Sequence, residues 1–256
     1  MCIDHLLLTR FNLQYEPNDS NAIQPEWLEE RLRLFELYCL PSVQRQTCQQ
    51  FKWILLGDVR TPDAYKRKME RYLSLVPQMH LYWVPYQEDS YHSLYTRIAQ
   101  ETADADALLV TSRMDNDDSI SPNYIESVQQ LVQNGMDGIL SFPKGKQTFI
   151  RDHKSYIIRF PKNHFTSMVE RGTFNTILAY DHTQINSSDL HLIETSLPMW
   201  EEIVHGGNIT NDYVPEYKYY TSGPTDIWDL SKRWIRFQTN RLVRLGKRLF
   251  VPTHKG

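Results

Sequence analysis

No stretch of this 256-residue chain approaches the roughly 20 consecutive apolar residues that a membrane-spanning helix needs. Asp4 and His5 follow Met1 too closely for a secretory leader, so a cytoplasmic location is expected. Cysteine is scarce: Cys2, Cys39 and Cys48 are odd in number and lack metal-site spacing, which argues against a disulfide framework or a zinc cluster. Glycosylation is then not expected at Asn186 or Asn208, although each heads an Asn-X-Ser/Thr triplet. There is no Gly/Ser linker, repeat or low-complexity tract, so the chain reads as one domain with an attached second half. What is plentiful is apolar sequence, 41% against 23% charged, the balance of a folded globular protein.

The strongest local signal is ALLVTSRMDNDDSI, residues 107–120. Leu108, Leu109 and Val110 form an apolar run that stops in Asp115, Asn116, Asp117 and Asp118. A short apolar run bounded by polar breakers reads as a strand buried on both faces of a parallel sheet. Ligands of such sheets bind beyond the carboxyl ends of the strands. Three carboxylates within four residues repel one another unless a cation or solvent compensates them. Mg2+ and Mn2+ prefer oxygen ligands and leave positions open for substrate phosphates. The bland alternative is a loop in which Asp118 or Ser119 caps the next helix. An EF-hand fits poorly, because Ile120 stands where that loop needs glycine and Pro122 lies inside it.

Around this stretch, apolar runs and amphipathic segments alternate. Strands are expected at 5–10, 51–56, 80–84 and 137–142, the second ending in Gly57-Asp58. Helices are expected at 26–40, between Pro25 and Pro41, and at 62–76, 91–102 and 122–133, the last closed by Gly135. Polar residues between 12 and 21 make a loop of the length that binding loops reach. The pattern predicts an α/β layered fold for the first 142 residues. Beyond it the rhythm changes: a hairpin over 147–160, a short helix over 163–170 and a strand over 174–180 are expected, before the segment PMWEEIVHGGN.

Residues 42–58, SVQRQTCQQFKWILLGD, resemble the opening of family 2 glycosyltransferases of the GT-A fold, and the DNDD stretch resembles their DXD motif. With HLLLTRFNL, LFELYCLPSV, SRMDNDD and MWEEIVHGGN, the chain is similar to a family of bacterial rhamnosyltransferases over residues 5–210. One departure matters. Asp58 is followed by Val59 and Arg60, where family 2 enzymes often carry two acids and then glycine, so nucleotide preference stays open.

The resemblance implies a mixed GT-A sheet flanked by helices. Residues 1–145 would bind the nucleotide-sugar, 146–225 the acceptor, and 226–256 would form a basic amphipathic tail. The implied activity is an inverting, metal-dependent transfer of a sugar, rhamnose or a relative, from a nucleoside-diphosphate donor to a glycan or lipid-linked glycan. The other functional class is a non-catalytic carbohydrate- or nucleotide-binding module on the same fold. Mn2+ or Mg2+ would be held by Asp115, Asp117 and His205, the last because imidazole suits Mn2+ and Gly206-Gly207 lets backbone approach a ligand. Donor contacts would come from Arg10, Asn12, Asp58, Arg113, Asp115 and Asp118. Lys162, Arg151 and Arg159 are further phosphate candidates or solvated strand residues. A carboxylate must take the acceptor hydroxyl's proton. Glu201 and then Glu202 are the leading candidates for that base, ahead of Glu170 and Asp181. Trp200 would stack on the acceptor sugar, with Glu170 beside it.

Lys232, Arg233, Arg236, Arg241, Arg244, Lys247 and Arg248 occupy residues 231–250 with no acid, leaving the rest of the chain at -10 against an overall -3. On a helical wheel most of these cations fall within about 200° to 340° of Trp234, opposite Leu242, Leu245 and Leu249. Such a helix suits an anionic membrane surface, or packs on its own domain. Nucleic acid is not an expected partner, since the rest of the chain is acidic and no recognised module accompanies the charge.

Overall fold

The computed structural model describes residues 2–89, 91–102, 107–172, 174–182, 184–206, 218–220, 228, 230–235 and 238–239. In chain order the elements are β1 (Ile3–Arg10), α1 (Pro25–Leu34), α2 (Leu40–Gln44), β2 (Lys52–Asp58), α3 (Asp63–Glu70), β3 (Met79–Val84), α4 (His92–Thr102), β4 (Leu108–Arg113) and β5 (Ser119–Ile120). They continue with α5 (Tyr124–Gln133), β6 (Gly138–Ser141), β7 (Lys144–Phe149), β8 (Lys154–Arg159), β9 (Thr166–Glu170), β10 (Leu190–Leu192), β11 (Trp200–Val204) and β12 (Lys218–Tyr220). Seven strands form a sheet in the order β10-β6-β9-β4-β1-β2-β3, and five form a second in the order β12-β8-β7-β11-β5. In the first sheet only β9 runs antiparallel to its neighbours. This is the mixed, helix-flanked sheet expected.

The apolar run of β4 is buried along five of its six residues, as a strand with sheet neighbours and covered faces must be. Its parallel neighbour β1 ends at Arg10, and β2, parallel on the far side of β1, ends at Asp58. Arg10, Asp58 and Arg113 therefore share the carboxyl edge of one sheet. Beyond Arg113 the chain turns through the acidic loop into β5, which pairs antiparallel with β11: Trp200 faces Ile120 and Glu201 faces Ser119. That pairing brings residues 200–205 beside the acidic loop.

Several expectations do not hold. The first helix does not stop at Pro41. A π turn at Phe35–Cys39, closed by the Leu40 N–H on the Phe35 carbonyl, leads into α2. Proline has no N–H for the carbonyl four residues back, and a π turn just ahead redistributes those bonds. Residues 163–170 supply β9 rather than a helix, because a slot between β4 and β6 pairs them on both sides. Residues 174–180 hold no strand, only a 3-10 turn at Ile177–Ala179. The hairpin begins at Lys144, so a boundary at 145 cuts β7. Strands β9 and β10 also return to the first sheet. One core cluster accordingly joins Leu7, Phe35 and Trp53 to Phe149, Tyr156 and Trp200.

Residues 228, 230–235 and 238–239 of the tail are helical; 236–237 and 240–256 lie outside the described residues, and with them most of the expected basic face. Arg233 is not on a solvated face. It is 3% exposed, pairs with Asp152 and lies 3.7 Å over the Phe149 ring, while Trp228, Trp234 and Ile235 are exposed. Among the described residues no helix is long and apolar enough to cross a membrane.

Candidate active site

The three carboxylates of the acidic loop face three different surroundings. Asp115 is the most open, with 39% of its side chain exposed, and its Oδ1 lies 3.5 Å from Nη2 of Arg113. Burial acts against its charge, but Arg113, His164 and Arg10 outweigh that and hold its carboxyl well below the usual range. Asp117 accepts from Arg31 of α1 and lies 2.9 Å from Nε2 of His205. Burial would raise its pKa, but the His205 hydrogen bond and the Arg31 charge lower it. Asp118 is buried: its Oδ1 accepts the Ile203 N–H at 2.8 Å, and its Oδ2 lies 2.8 Å from Nε2 of His164. Burial, then the charges of Asp117 and Asp115, push the Asp118 carboxyl well above the usual range, and burial lowers the His164 imidazole.

Asp115, Asp118 and His164 each offer a ligand atom, all within 4.8 Å of one another. His164 Nε2 stands 2.8 Å from Asp118 and 4.0 Å from Asp115. Octahedral ligands about 2.1 Å from an ion are roughly 3 to 4 Å apart, so two carboxylate oxygens and an imidazole fit Mg2+ or Mn2+ with little adjustment. The expected set of Asp115, Asp117 and His205 is divided: Asp117 and His205 bond to each other, and His164 stands with Asp115 and Asp118 instead.

The other expected site residues distribute as follows. Asp58 lies at the carboxyl edge, with both carboxylate oxygens engaged by Arg60, whose Nη2 also reaches the Asp19 carbonyl. Asn12 is buried, its amide hydrogens go to the Ala22 carbonyl and the Thr61 hydroxyl, and its Oδ1 accepts the Asp58 N–H. It ties the loop after β1 to the end of β2. Arg10 lies 5.7 Å over the Tyr15 ring; burial acts against its charge, while Tyr15 and Asp115 sustain it.

Trp200 is packed into the core, with its ring and its indole N–H both engaged. It is 2% exposed, stacks on Phe165 at 4.9 Å and donates to the Phe142 carbonyl at 2.7 Å. Glu170 pairs opposite Leu109, at the far end of β4, and its carboxylate accepts the N–H groups of Asn175 and Thr176. It braces a loop away from the acidic cluster. Asp181 lies 3.6 Å from His182. Arg159 pairs with Glu194 at 2.6 Å, and the Arg151 guanidinium fills the space that a side chain at Gly206 would need. Glu201 and Glu202 lie on β11 and alternate between its two faces.

The sequence matches the family described as "Putative rhamnosyl transferase" over residues 12–217. The chain belongs to that family. No curated protein matches it. Its fold is similar to that of S. aureus TarS 1-349 solved with UDP-GlcNAc, with a TM-score of 0.51 at 9% identity over 84% of this chain and 62% of that one. The same protein solved with UDP gives 0.45 at 9% identity over 80% and 61%. The chain thus spans about three fifths of the length of those structures. The likeness shows a shared GT-A fold. Arg31, His164 and Arg60 were not foreseen in the sequence, since each is an ordinary polar residue whose partner is fixed by the fold.

Proposed function

We propose that this chain is a glycosyltransferase that takes a sugar, rhamnose or a close relative, from a nucleoside-diphosphate donor and passes it with inversion to a glycan or lipid-linked glycan. The observation that carries the reading is the grouping of Asp115, Asp118 and His164 at the carboxyl end of the central strand, flanked by Arg113, Arg10 and Arg31. Family membership supports the transfer of rhamnose, and TarS was solved with UDP and with UDP-GlcNAc.

Asp115, Asp118 and His164 would hold a divalent cation, which would neutralise the charge that develops on a departing diphosphate. The chain's own residues do the rest. The Ile203 N–H orients Asp118 toward His164, and Arg113 and Arg10 add positive charge on the side of Asp115. We assign the nucleoside to Arg10 and Asp58, at the ends of β1 and β2. Glu202 lies on the buried face of β11, hydrogen-bonded by Gln147 at 3.1 Å, and its charge acts on His164. We assign it the proton of the acceptor hydroxyl. The basic tail brings this cytoplasmic enzyme to an anionic membrane that carries the acceptor.

Purified protein with Mn2+ and a panel of sugar nucleotides should consume one donor, and Asp118→Asn should abolish that consumption while leaving the thermal melt intact. A non-catalytic binding module has no consumption to lose, so binding without turnover overturns the proposal.

A further inference from the structure

Arg31 reaches the acidic loop from α1, 86 residues away in the chain. Its guanidinium is pinned: it lies 4.8 Å over the Trp27 ring, and Nη1 donates to Asn116 Oδ1 at 2.9 Å and to Asp117. The Arg31 and Asp117 side chains keep only 14% and 11% exposure. An ion pair taken this far from water recovers its desolvation cost only with good geometry, and an apolar pair of similar volume often serves stability as well. Its position is therefore informative. Asp115 has Arg113 from its own strand and Asp118 has His164 and a backbone N–H. Asp117 has a permanent cation brought in from a helix, one carboxylate away from the candidate metal ligands. Among the described residues, only Nη1 of that guanidinium makes a hydrogen bond, which leaves Nε and Nη2 with donors for a second anion.

We infer that Arg31 is a resident counter-charge for the acidic loop: it cancels Asp117 in the metal-free protein and contacts the donor's diphosphate through its remaining N–H groups. The inference rests on the proposed donor site and goes beyond it by assigning a diphosphate contact to α1. A planar guanidinium fork matches phosphate as well as carboxylate oxygens. Removing it should then shift two affinities in opposite directions, which a merely structural residue would not do.

The test compares the wild-type chain with Arg31→Gln and Arg31→Lys, each checked by thermal melt. Mn2+ binding without nucleotide is read from the electron paramagnetic resonance of free Mn2+. Nucleotide binding is read by calorimetry in EDTA, using whichever of UDP, GDP or dTDP the wild type binds best. In Arg31→Gln, Mn2+ should bind more tightly, by about tenfold for one opposing charge removed beside the cluster, and the nucleotide more weakly, also by about tenfold. Arg31→Lys keeps the charge without the fork, so its Mn2+ affinity should match wild type while nucleotide binding falls.

Unchanged Mn2+ affinity in Arg31→Gln, or tightening in Arg31→Lys as well, overturns the counter-charge. Equal nucleotide binding by wild type and Arg31→Gln, or none by either in EDTA, overturns the phosphate contact. If the wild-type chain binds no Mn2+, the metal reading falls and this inference with it. Wild-type binding with no response to either substitution removes the inference alone.

Discussion

Glu201 and Glu202 are neighbours on β11 that face opposite sides of the five-stranded sheet. Glu201 is on the outer face, where Thr148 Oγ1 donates to it at 2.6 Å and Lys146 Nζ lies at 2.9 Å. Glu202 is 1% exposed on the inner face, the side of Trp200 and Val204. Consecutive strand residues must diverge in this way. It is the inner carboxylate whose charge is felt at His164.

Substituting the two glutamates should therefore have unequal effects. Glu202→Gln keeps the shape of the side chain and removes the base, so sugar transfer should fall by about 10²- to 10⁴-fold, with donor binding retained. Glu201→Gln should stay within a few-fold of wild type. A larger loss from Glu201→Gln, measured as initial rates of transfer, would assign the proton to the outer face.

The two histidines near the loop are separable in the same way. His164→Ala removes one of three grouped ligand atoms and should weaken Mn2+ binding by on the order of 100-fold, the upper range for disrupting a metal's surroundings. His205→Ala removes a hydrogen bond to Asp117 and should weaken it less. Mn2+ titration of both variants checks the order; the reverse order would restore Asp117 and His205 as the metal side.

Gly145 lies against Trp200 so closely that an added Cβ would stand 2.3 Å from the indole ring. The ring is fixed by Phe165 on one side and by its hydrogen bond to Phe142, so it cannot step aside cheaply. Gly145→Ala should cost about 1–3 kcal/mol, the usual penalty for overpacking, read as a lower urea midpoint.

His5 lies in the buried chain His5–Ser112–Ser167–Tyr124, with Nε2 2.8 Å from Ser112 Oγ. Burial pushes its imidazole down to about 3. Unfolded histidine titrates near 6.5, so between about 6.5 and 3 the unfolded chain takes up a proton that the folded chain refuses. The stabilisation is whole above that window and is lost as the pH falls through it, at no more than about 1.4 kcal/mol per pH unit. His5→Gln should flatten the urea-measured stability profile between pH 6.5 and 4.5 relative to wild type; parallel profiles would remove this group from the account.

Much of the first sheet was legible because its signals are local. HLLLTR, FKWILL and ALLV are short apolar runs, and each became a parallel strand within two or three residues of its expected ends. The sequence was ambiguous where pairing decided the outcome. Thr166–Glu170 became a strand because two neighbours bond it, and nothing local in PMWEEIV announces the place of its glutamates beside β5 and β7.

By itself the sequence determined that a central buried strand ends in three carboxylates, since an apolar run and its polar stop are properties of neighbouring residues. Only the tertiary structure decided what those carboxylates meet. Asp118 meets His164 across 46 residues, and Asp117 meets Arg31 across 86 and His205 across 88. It also turned Trp200 inward and sent Glu170 to the far end of β4. Contacts at such separations depend on strand order and register, which no periodicity in a single stretch encodes.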